Sequence, residues 1–527
     1  MRLQHLPFSA AIPLPLSSSM PPFSAPRLTF TAFRRLLRTS TAPTRGSRTR
    51  TSSSTREQQH YSSKRQPVFW KRYWQAPKFS TTAKMSSVGG MGVGSAALYA
   101  VVSNPAQMGA RPDEAEEKKH HLKNGKGFIN PWDSFKDFSP LSIGLQLIAR
   151  KLRGDVHVPD TTPPTVPVRK PSLHATRSTP ALRATWLGHA CYYVEFPSGL
   201  RVLFDPVFED CCSPINLKML KRYTPPPCEI EDLPFVDLVV ISHNHYDHLS
   251  YPTILRIKNK FPQAHFFAPL GNRKWFVDSG VPAERVTELD WWDQRDVKLD
   301  GGKAGQEKAV GVEQPGELTQ REVEKAITAT VGALPCQHVS ARTPFDKCRT
   351  LWASWSVESG GAKVYFAGYV YSLSLSLHPS PSFLANPPPP SSDTGYRSVP
   401  AVPAGTDDYG PAYAHLPHCP AFAQIGTHRG PFDLGLIPIG AYEPRFVMSP
   451  MHANPTDSVH IFADTRCRRA LGMHWGTWVL TEEDVMEPPR KLKDALREKG
   501  LGETGVFDVC DIGESREFEC AGNGKGA

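Results

Sequence analysis

The sequence predicts an α/β layered body behind a basic leader, on three observations. From Leu182 onward, short apolar β-branched runs alternate with stretches of helical periodicity. One of those runs, Val236 to Ile241, leads straight into Ser242-His243-Asn244-His245-Tyr246-Asp247-His248-Leu249, which puts ligand-type side chains at the C-terminal end of a buried strand. The first 85 residues hold fifteen Lys and Arg against the single acid Glu57, a surplus of +14. With +10 for the whole chain of 527 residues, the rest carries −4.

That distribution decides what the charge means. A basic chain invites a nucleic-acid reading, but the body that would do the binding is mildly acidic, so no nucleic-acid partner is expected. Residues 1–87 are rich in Arg, Ser, Thr and Pro, the composition of a transit peptide, and Thr29 to Arg38 has amphipathic character. The expectation is mitochondrial, with inner-membrane association. Residues 88–126 read as a Gly-rich apolar segment followed by a solvated charged linker. The apolar part, Val88 to Val102, is shorter than the roughly 20 residues of a spanning helix. Ten scattered cysteines without a Cys-x-x-Cys pair indicate neither a disulfide framework nor a thiolate metal site.

Residues 127–180 read as an extension packed on the body: a helix over Leu141 to Leu152, then a Pro- and Thr-rich linker. The catalytic domain spans 181–520. Its strands are expected at Arg183 to Leu187, Cys191 to Phe196, Arg201 to Phe204, His265 to Ala268, Ala326 to Val331, Thr350 to Val357, Lys363 to Phe366, Asp433 to Ile439 and Ala470 to Met473. Helices are expected at Tyr251 to Lys260, Asn272 to Ser279 and Pro488 to Lys499, and Gly301 to Glu324 as a loop insertion.

In the motif, His243 and His245 can turn to one side while Asp247 and His248 follow where the chain bends, a spacing that allows two adjacent metal sites. Imidazole nitrogen with carboxylate oxygen suits zinc best, with iron or manganese as substitutes. Asp205, at a strand end just before the motif, suits a carboxylate that holds a ligand imidazole by its distal N–H, or caps a turn. His338 and His474 each end an apolar strand, the placement of ligands gathered along one sheet edge, although a lone histidine there is more often structural.

His243-x-His245-x-Asp247-His248, His338, Asp393-Thr394-Gly395-Tyr396 and His474-Trp475-Gly476-Thr477 resemble the metallo-β-lactamase fold superfamily. Thr185 to Ala190, Glu288-Leu289-Asp290-Trp291-Trp292, Cys419 to Phe422 and Pro438 to Arg445 narrow the resemblance to the N-acylphosphatidylethanolamine-hydrolysing phospholipase D branch and its fungal mitochondrial relatives, from about Asn130 to Arg516. The resemblance implies an αββα sandwich with two Zn2+ per subunit: His243, His245 and His338 on one, Asp247, His248 and His474 on the other, and Asp393 bridging. It further implies that Tyr246 and His452 contact the lipid substrate and that the products are phosphatidic acid and an N-acylethanolamine; Asp247, a ligand with a spare oxygen, can accept or relay a proton. From the residues alone, Tyr246 can equally be a packing ring and His452 a loop residue. The substrate would be a membrane phospholipid met by peripheral association, and a homodimer is compatible. Pro214 to Pro227, with Lys218, Lys221 and Arg222, is a candidate membrane-facing edge.

The family pattern is broken once. Tyr369 to Ser392, 24 residues rich in Ser, Leu and Pro, stand between Phe366-Ala367-Gly368 and the Asp-Thr-Gly-Tyr motif. They read as a retained intron in the gene, whose Gly368-Tyr369-Val370 codons can hold a donor site, or as a surface loop. Two other functions stay open at this point: a thioester, lactone or RNA hydrolase on the same fold, and a lipid-binding protein weakened by the insertion before Asp393.

Overall fold

A computed structural model describes residues 98–137, 140–214, 220–300, 327–343, 345–368, 395–401 and 406–520. The leader, the expected loop 301–324, the segment 369–392 and Asp393 itself lie outside the described residues.

The described strands are β1 (Tyr99–Ser103), β2 (Leu182–Gly188), β3 (Cys191–Glu195), β4 (Arg201–Phe204), β5 (Leu238–Val240), β6 (His265–Pro269), β7 (Val286–Leu289), β8 (Gln294–Asp300), β9 (Thr328–Leu334), β10 (Ser354–Ser359), β11 (Ala362–Phe366), β12 (Leu434–Pro438), β13 (Ala470–Met473), β14 (Phe507–Asp508) and β15 (Ser515–Phe518). They form two sheets, ordered β1-β8-β9-β10-β11-β12-β13-β14 and β15-β2-β3-β4-β5-β6-β7. In each, antiparallel neighbours give way to a parallel run, β4 to β7 in one and β11 to β14 in the other. Parallel strands need crossovers, and the helices that make them cover the outer faces.

The helices are α1 (Pro140–Arg153), α2 (Tyr251–Lys260), α3 (Arg273–Asp278), α4 (Ala421–His428), α5 (Arg445–Met448), α6 (Pro455–Asp464) and α7 (Glu487–Glu498). Ile254 and Ile257 of α2 and Phe276 of α3 pack on Val239 and Phe266 of the seven-stranded sheet. Phe422, Phe462 and Leu492 join the core of the other sheet. Between the sheets, Phe204 stacks on Phe366 with ring centroids 4.8 Å apart, and Trp355 Nε1 donates across the gap to the Ile241 carbonyl at 3.1 Å. The architecture is the αββα sandwich. A buried tryptophan needs a partner for its N–H, and here that partner is the last residue before the histidine motif.

Two expectations are corrected. The linker 88–126 belongs to the fold from Tyr99 on. β1 pairs antiparallel with β8, and His120, within the stretch read as solvated, is buried with its Nε2 2.7 Å from Asp290 Oδ1. The basic edge at 214–227 loses Arg222 as a headgroup contact. Arg222 is buried under Trp478, its guanidinium 4.9 Å from the ring, while exposed Lys221 pairs with Asp210 and Lys218 lies outside the described residues. The expected helix at 141–152 is present, with Ile143 and Leu147 packed on Phe446, Val447 and Met448.

His265 on β6 is buried with Nε2 2.8 Å from Thr287 Oγ1, and burial followed by the Arg285 charge pushes its pKa down to about 4 from 6.5. Between those values the unfolded chain binds more protons than the folded one, so stability falls as pH drops from 6.5 toward 4, by at most about 1.4 kcal/mol per pH unit. Urea midpoints taken from pH 7 to 4 are expected to fall less steeply for His265→Gln than for the wild type. Parallel slopes would exclude His265 as the source.

Candidate metal centre

The chain needs side-chain donors at one place, and the parallel strand ends supply them. The motif follows β5 and is turned back by two short bonds, His248 N to the His245 carbonyl at 3.1 Å and Leu249 N to the same oxygen at 2.8 Å. Helix α2 then starts at once, with Ser250 capping Thr253 N and Pro252 in the first turn. His338 follows β9, His474 follows β13 and Asp205 follows β4. This gathers ligands at the C-terminal edge of the sandwich, the edge where open α/β sheets bind their ligands.

Two donor clusters result, each with ligand atoms within 4.8 Å of one another: His243, His245 and His338, and His189, Asp247, His248 and His474. In the first, His338 Nε2 lies 3.4 Å from His245 Nδ1. In the second, Asp247 Oδ2 faces the Nε2 atoms of His189, His248 and His474 at 3.1, 3.3 and 3.6 Å. The clusters adjoin, with the His243 and His248 rings 4.4 Å apart. All seven side chains are buried.

The chemistry of the donors fits divalent cations. Burial and neighbouring imidazoles hold His189, His243 and His338 well below their usual pKa, and burial sets His474 at about 4, so these rings are neutral and carry a lone pair for a metal. Burial alone would raise Asp247, but the His248 charge and the hydrogen bond from His189 keep its carboxyl ionised, well below the usual range. His243 Nε2 and Asp247 Oδ1 are buried and meet no hydrogen-bond partner among the described residues. Buried polar atoms left that way are costly unless something charged or polar fills the space between them.

Neighbouring residues aim the ligands. Asp205 accepts from Ser242 N at 2.7 Å and from His248 Nδ1 at 2.6 Å, which turns His248 Nε2 toward Asp247. Asn130, from the N-terminal extension, clamps both backbone groups of His338, donating to its carbonyl at 2.8 Å and accepting from its N–H at 3.1 Å. Sequence reasoning found Asp205 but not Asn130, which stood only at the margin of the resemblance. The extension is held in turn by Asp290, which takes hydrogen bonds from His120, His121 and Lys118. That third His-His-Asp group already has the Lys118 ammonium 2.9 Å from its carboxylate, so it is an anchor filled by the chain's own cation.

Of the expected substrate contacts, His452 is buried beside the second cluster, its ring 5.8 Å from that of His474. Tyr246 is half-buried, with its hydroxyl donating to the Arg342 carbonyl at 3.2 Å and the Arg342 guanidinium 4.0 Å over its ring. Arg342 also donates to the carbonyls of Asn244 and Leu249 and so brackets the motif loop. Asp393 cannot be placed. Gly395, two residues on, is held by Gln337 Nε2 at 2.7 Å, directly beside His338.

Fold and donor clusters together define a metal-dependent hydrolase of the β-lactamase superfamily, whose domain model matches residues 200–372 and 406–475. The chain belongs to the N-acylphosphatidylethanolamine-hydrolysing phospholipase D family. It is 32% identical over 405 residues to N-acyl-phosphatidylethanolamine-hydrolyzing phospholipase D 1 of Caenorhabditis elegans, covering 75% of this chain and 93% of the relative. The mitochondrial N-acyl-phosphatidylethanolamine-hydrolyzing phospholipase D of Saccharomyces cerevisiae is 28% identical over 338 residues, 64% of this chain and 55% of that protein. Among solved structures, Igni18, a metallo hydrolase of Ignicoccus hospitalis, aligns with 64% of this chain and 99% of its own at 16% identity and a TM-score of 0.36.

Replacing Asp205 by Asn keeps the shape but removes the charge that orients His248. Metal affinity measured by equilibrium dialysis is expected to fall about 10- to 100-fold. Unchanged affinity would show that Asp205 does no more than tie Ser242 to the sheet.

Proposed function

We propose that this enzyme is a zinc-dependent phosphodiesterase of phospholipase D type, hydrolysing N-acylphosphatidylethanolamine to phosphatidic acid and an N-acylethanolamine. The observation that carries the reading is the pair of adjoining buried donor clusters, in a chain that aligns with nearly the full length of a relative named for that reaction. His243, His245 and His338 would hold one ion. Asp247, His248 and His474 would hold the other, and the resemblance adds Asp393 between them. Bound divalent ions would polarise the phosphodiester oxygens and make water nucleophilic near neutral pH.

The chain's own residues then do the rest. Water adds its oxygen to phosphorus, the bond from phosphorus to the ethanolamide oxygen breaks, and the proton released from water ends on the departing alkoxide. Asp247 Oδ1, buried and unpartnered among the described residues, is the base placed to carry that proton, while Oδ2 faces the three imidazoles. His452, beside His474, is positioned to meet the phosphate or its neighbouring ester. Tyr246 serves by packing under Arg342 and fixing the motif loop. No serine or cysteine nucleophile is required.

Access to a two-tailed lipid favours peripheral membrane association. Leu145, Ile148, Leu152 and Val158 are 59 to 83% exposed on and just after α1, next to Lys151 and Arg153, a face with apolar and cationic character suited to a bilayer. Among the described residues no helix is long and apolar enough to cross a membrane. The leader composition and the yeast relative's name support a mitochondrial location.

His243→Ala is expected to abolish release of N-acylethanolamine from an N-acylated phosphatidylethanolamine and to lower bound zinc, with turnover and metal content read on the same sample. Full turnover in the variant would remove the proposed site. Turnover of a thioester in preference to the phospholipid by the wild type would keep the metal centre and overturn the substrate.

A further inference from the structure

We propose that His189 is a metal ligand, a further protein donor to the second ion beside Asp247, His248 and His474; this rests on the two-ion reading above. Nothing in the motif spacing assigns it. It lies in the turn between β2 and β3, where the register of the hairpin shifts between Trp186 and Gly188. Gly188 (φ +100°) and His189 (φ +49°) both take positive φ there. A non-glycine residue in that region is uncommon and is kept only where its surroundings hold it.

Those surroundings come from both sheets. The Thr477 hydroxyl accepts from the His189 N–H at 2.7 Å, while the His189 carbonyl accepts from Trp186 Nε1 at 2.8 Å and from the N–H of His474 at 2.9 Å. The backbone of one cluster member is therefore bonded directly to the backbone of another, and their rings lie 3.8 Å apart. Trp478 closes the outer side, its ring 4.9 Å from that of His189 and nearly perpendicular to it.

The distances fit donors gathered around one cation. Zinc bonds of about 2.0–2.1 Å in tetrahedral geometry place neighbouring donor atoms roughly 3.3–3.4 Å apart. Around Asp247 Oδ2, His189, His248 and His474 present Nε2 at 3.1, 3.3 and 3.6 Å, which bracket that edge length. The His248 Nδ1 is committed to Asp205 at 2.6 Å, so Nε2 is the atom it presents toward Asp247. The same four atoms make a complete donor set without Asp393, whose place in the family pattern is separated from its strand by the 24 intervening residues.

The test uses full-length protein stripped of metal and reloaded with Zn2+ or Co2+, as wild type, His189→Ala and His189→Gln. Glutamine keeps an amide donor for Asp247 but is a poor zinc ligand, so it tells ligation from positioning, and thermal unfolding of each metal-free protein checks that it is folded. The expected result is two ions per wild-type chain, and in both variants at least a tenfold loss of affinity for one ion only, with loss of half of the intense visible absorption of tetrahedral Co2+. His189→Gln binding both ions like the wild type would overturn the assignment in favour of a positioning role. His189→Ala doing so would overturn any role at the metal. A wild type that takes up a single ion would overturn the two-ion reading itself, a result distinct from either.

Discussion

The Asp247 carboxylate, sealed from solvent where the two sheets meet, is the constraint to which the rest of the structure answers. An ionised carboxylate in a dry pocket is costly by itself and tolerable only when opposite charge or donors surround it. Here Nε2 atoms from three different loops converge on one of its oxygens, and a carboxylate from a fourth loop, Asp205, fixes the orientation of His248. Each loop leaves the C-terminal end of a strand, so the sheet order and the convergence are one fact. A rearranged topology would scatter these groups and leave the charge stranded.

Precision at the centre is maintained by backbone strain as well as hydrogen bonding. His189, Asp205 and His474 all sit at positive φ (+49°, +37° and +66°), a conformation that costs a non-glycine residue of order 1–3 kcal/mol. Each is also held by backbone or side-chain bonds to another member of the site, so the strain is stored where it aims a side chain. The N-terminal extension contributes in the same way. Its Asn130 holds His338 by two hydrogen bonds, and the Asp290 anchor with His120, His121 and Lys118 keeps that segment in place. The catalytic edge is thus closed by residues far upstream of the strands that carry the ligands.

Much of this was legible in the sequence, and the exceptions share a cause. β4 and α2 fall on the residues expected, because apolar period, the Asp205-Pro206 stop and the Ser250-Tyr251-Pro252 start are local signals. The motif histidines, His338 and His474 were visible as side chains ending apolar strands. His189 was not, although it directly follows β2: a bulged hairpin turn aims it, and bulges leave little trace in a single sequence. β1 and the buried His120 were missed for a similar reason. β1 is an edge strand that stays largely exposed, and its place comes from pairing with β8, two hundred residues away, and not from its own pattern. Arg222 looked like a surface base and is instead stacked on Trp478, a contact that only tertiary structure creates.

The break in the family pattern also takes on a physical form. Gly368, the last described residue before the segment, lies against Cys336, whose thiol meets its carbonyl at 3.3 Å, and Gly395, the first described residue after it, is bonded to Gln337. Cys336 and Gln337 are consecutive and lead into His338, so the chain leaves and rejoins the fold at one spot on the catalytic edge. Closing a long loop between ends already held together adds only about 0.6 kcal/mol for each doubling of its length. A sandwich whose core lies on both sides of that spot can carry such an excursion without loss of the fold. What the added length puts at stake is the aim of the residues next to its exit and return, and there Gln337 holds Gly395 while Asn130 holds His338.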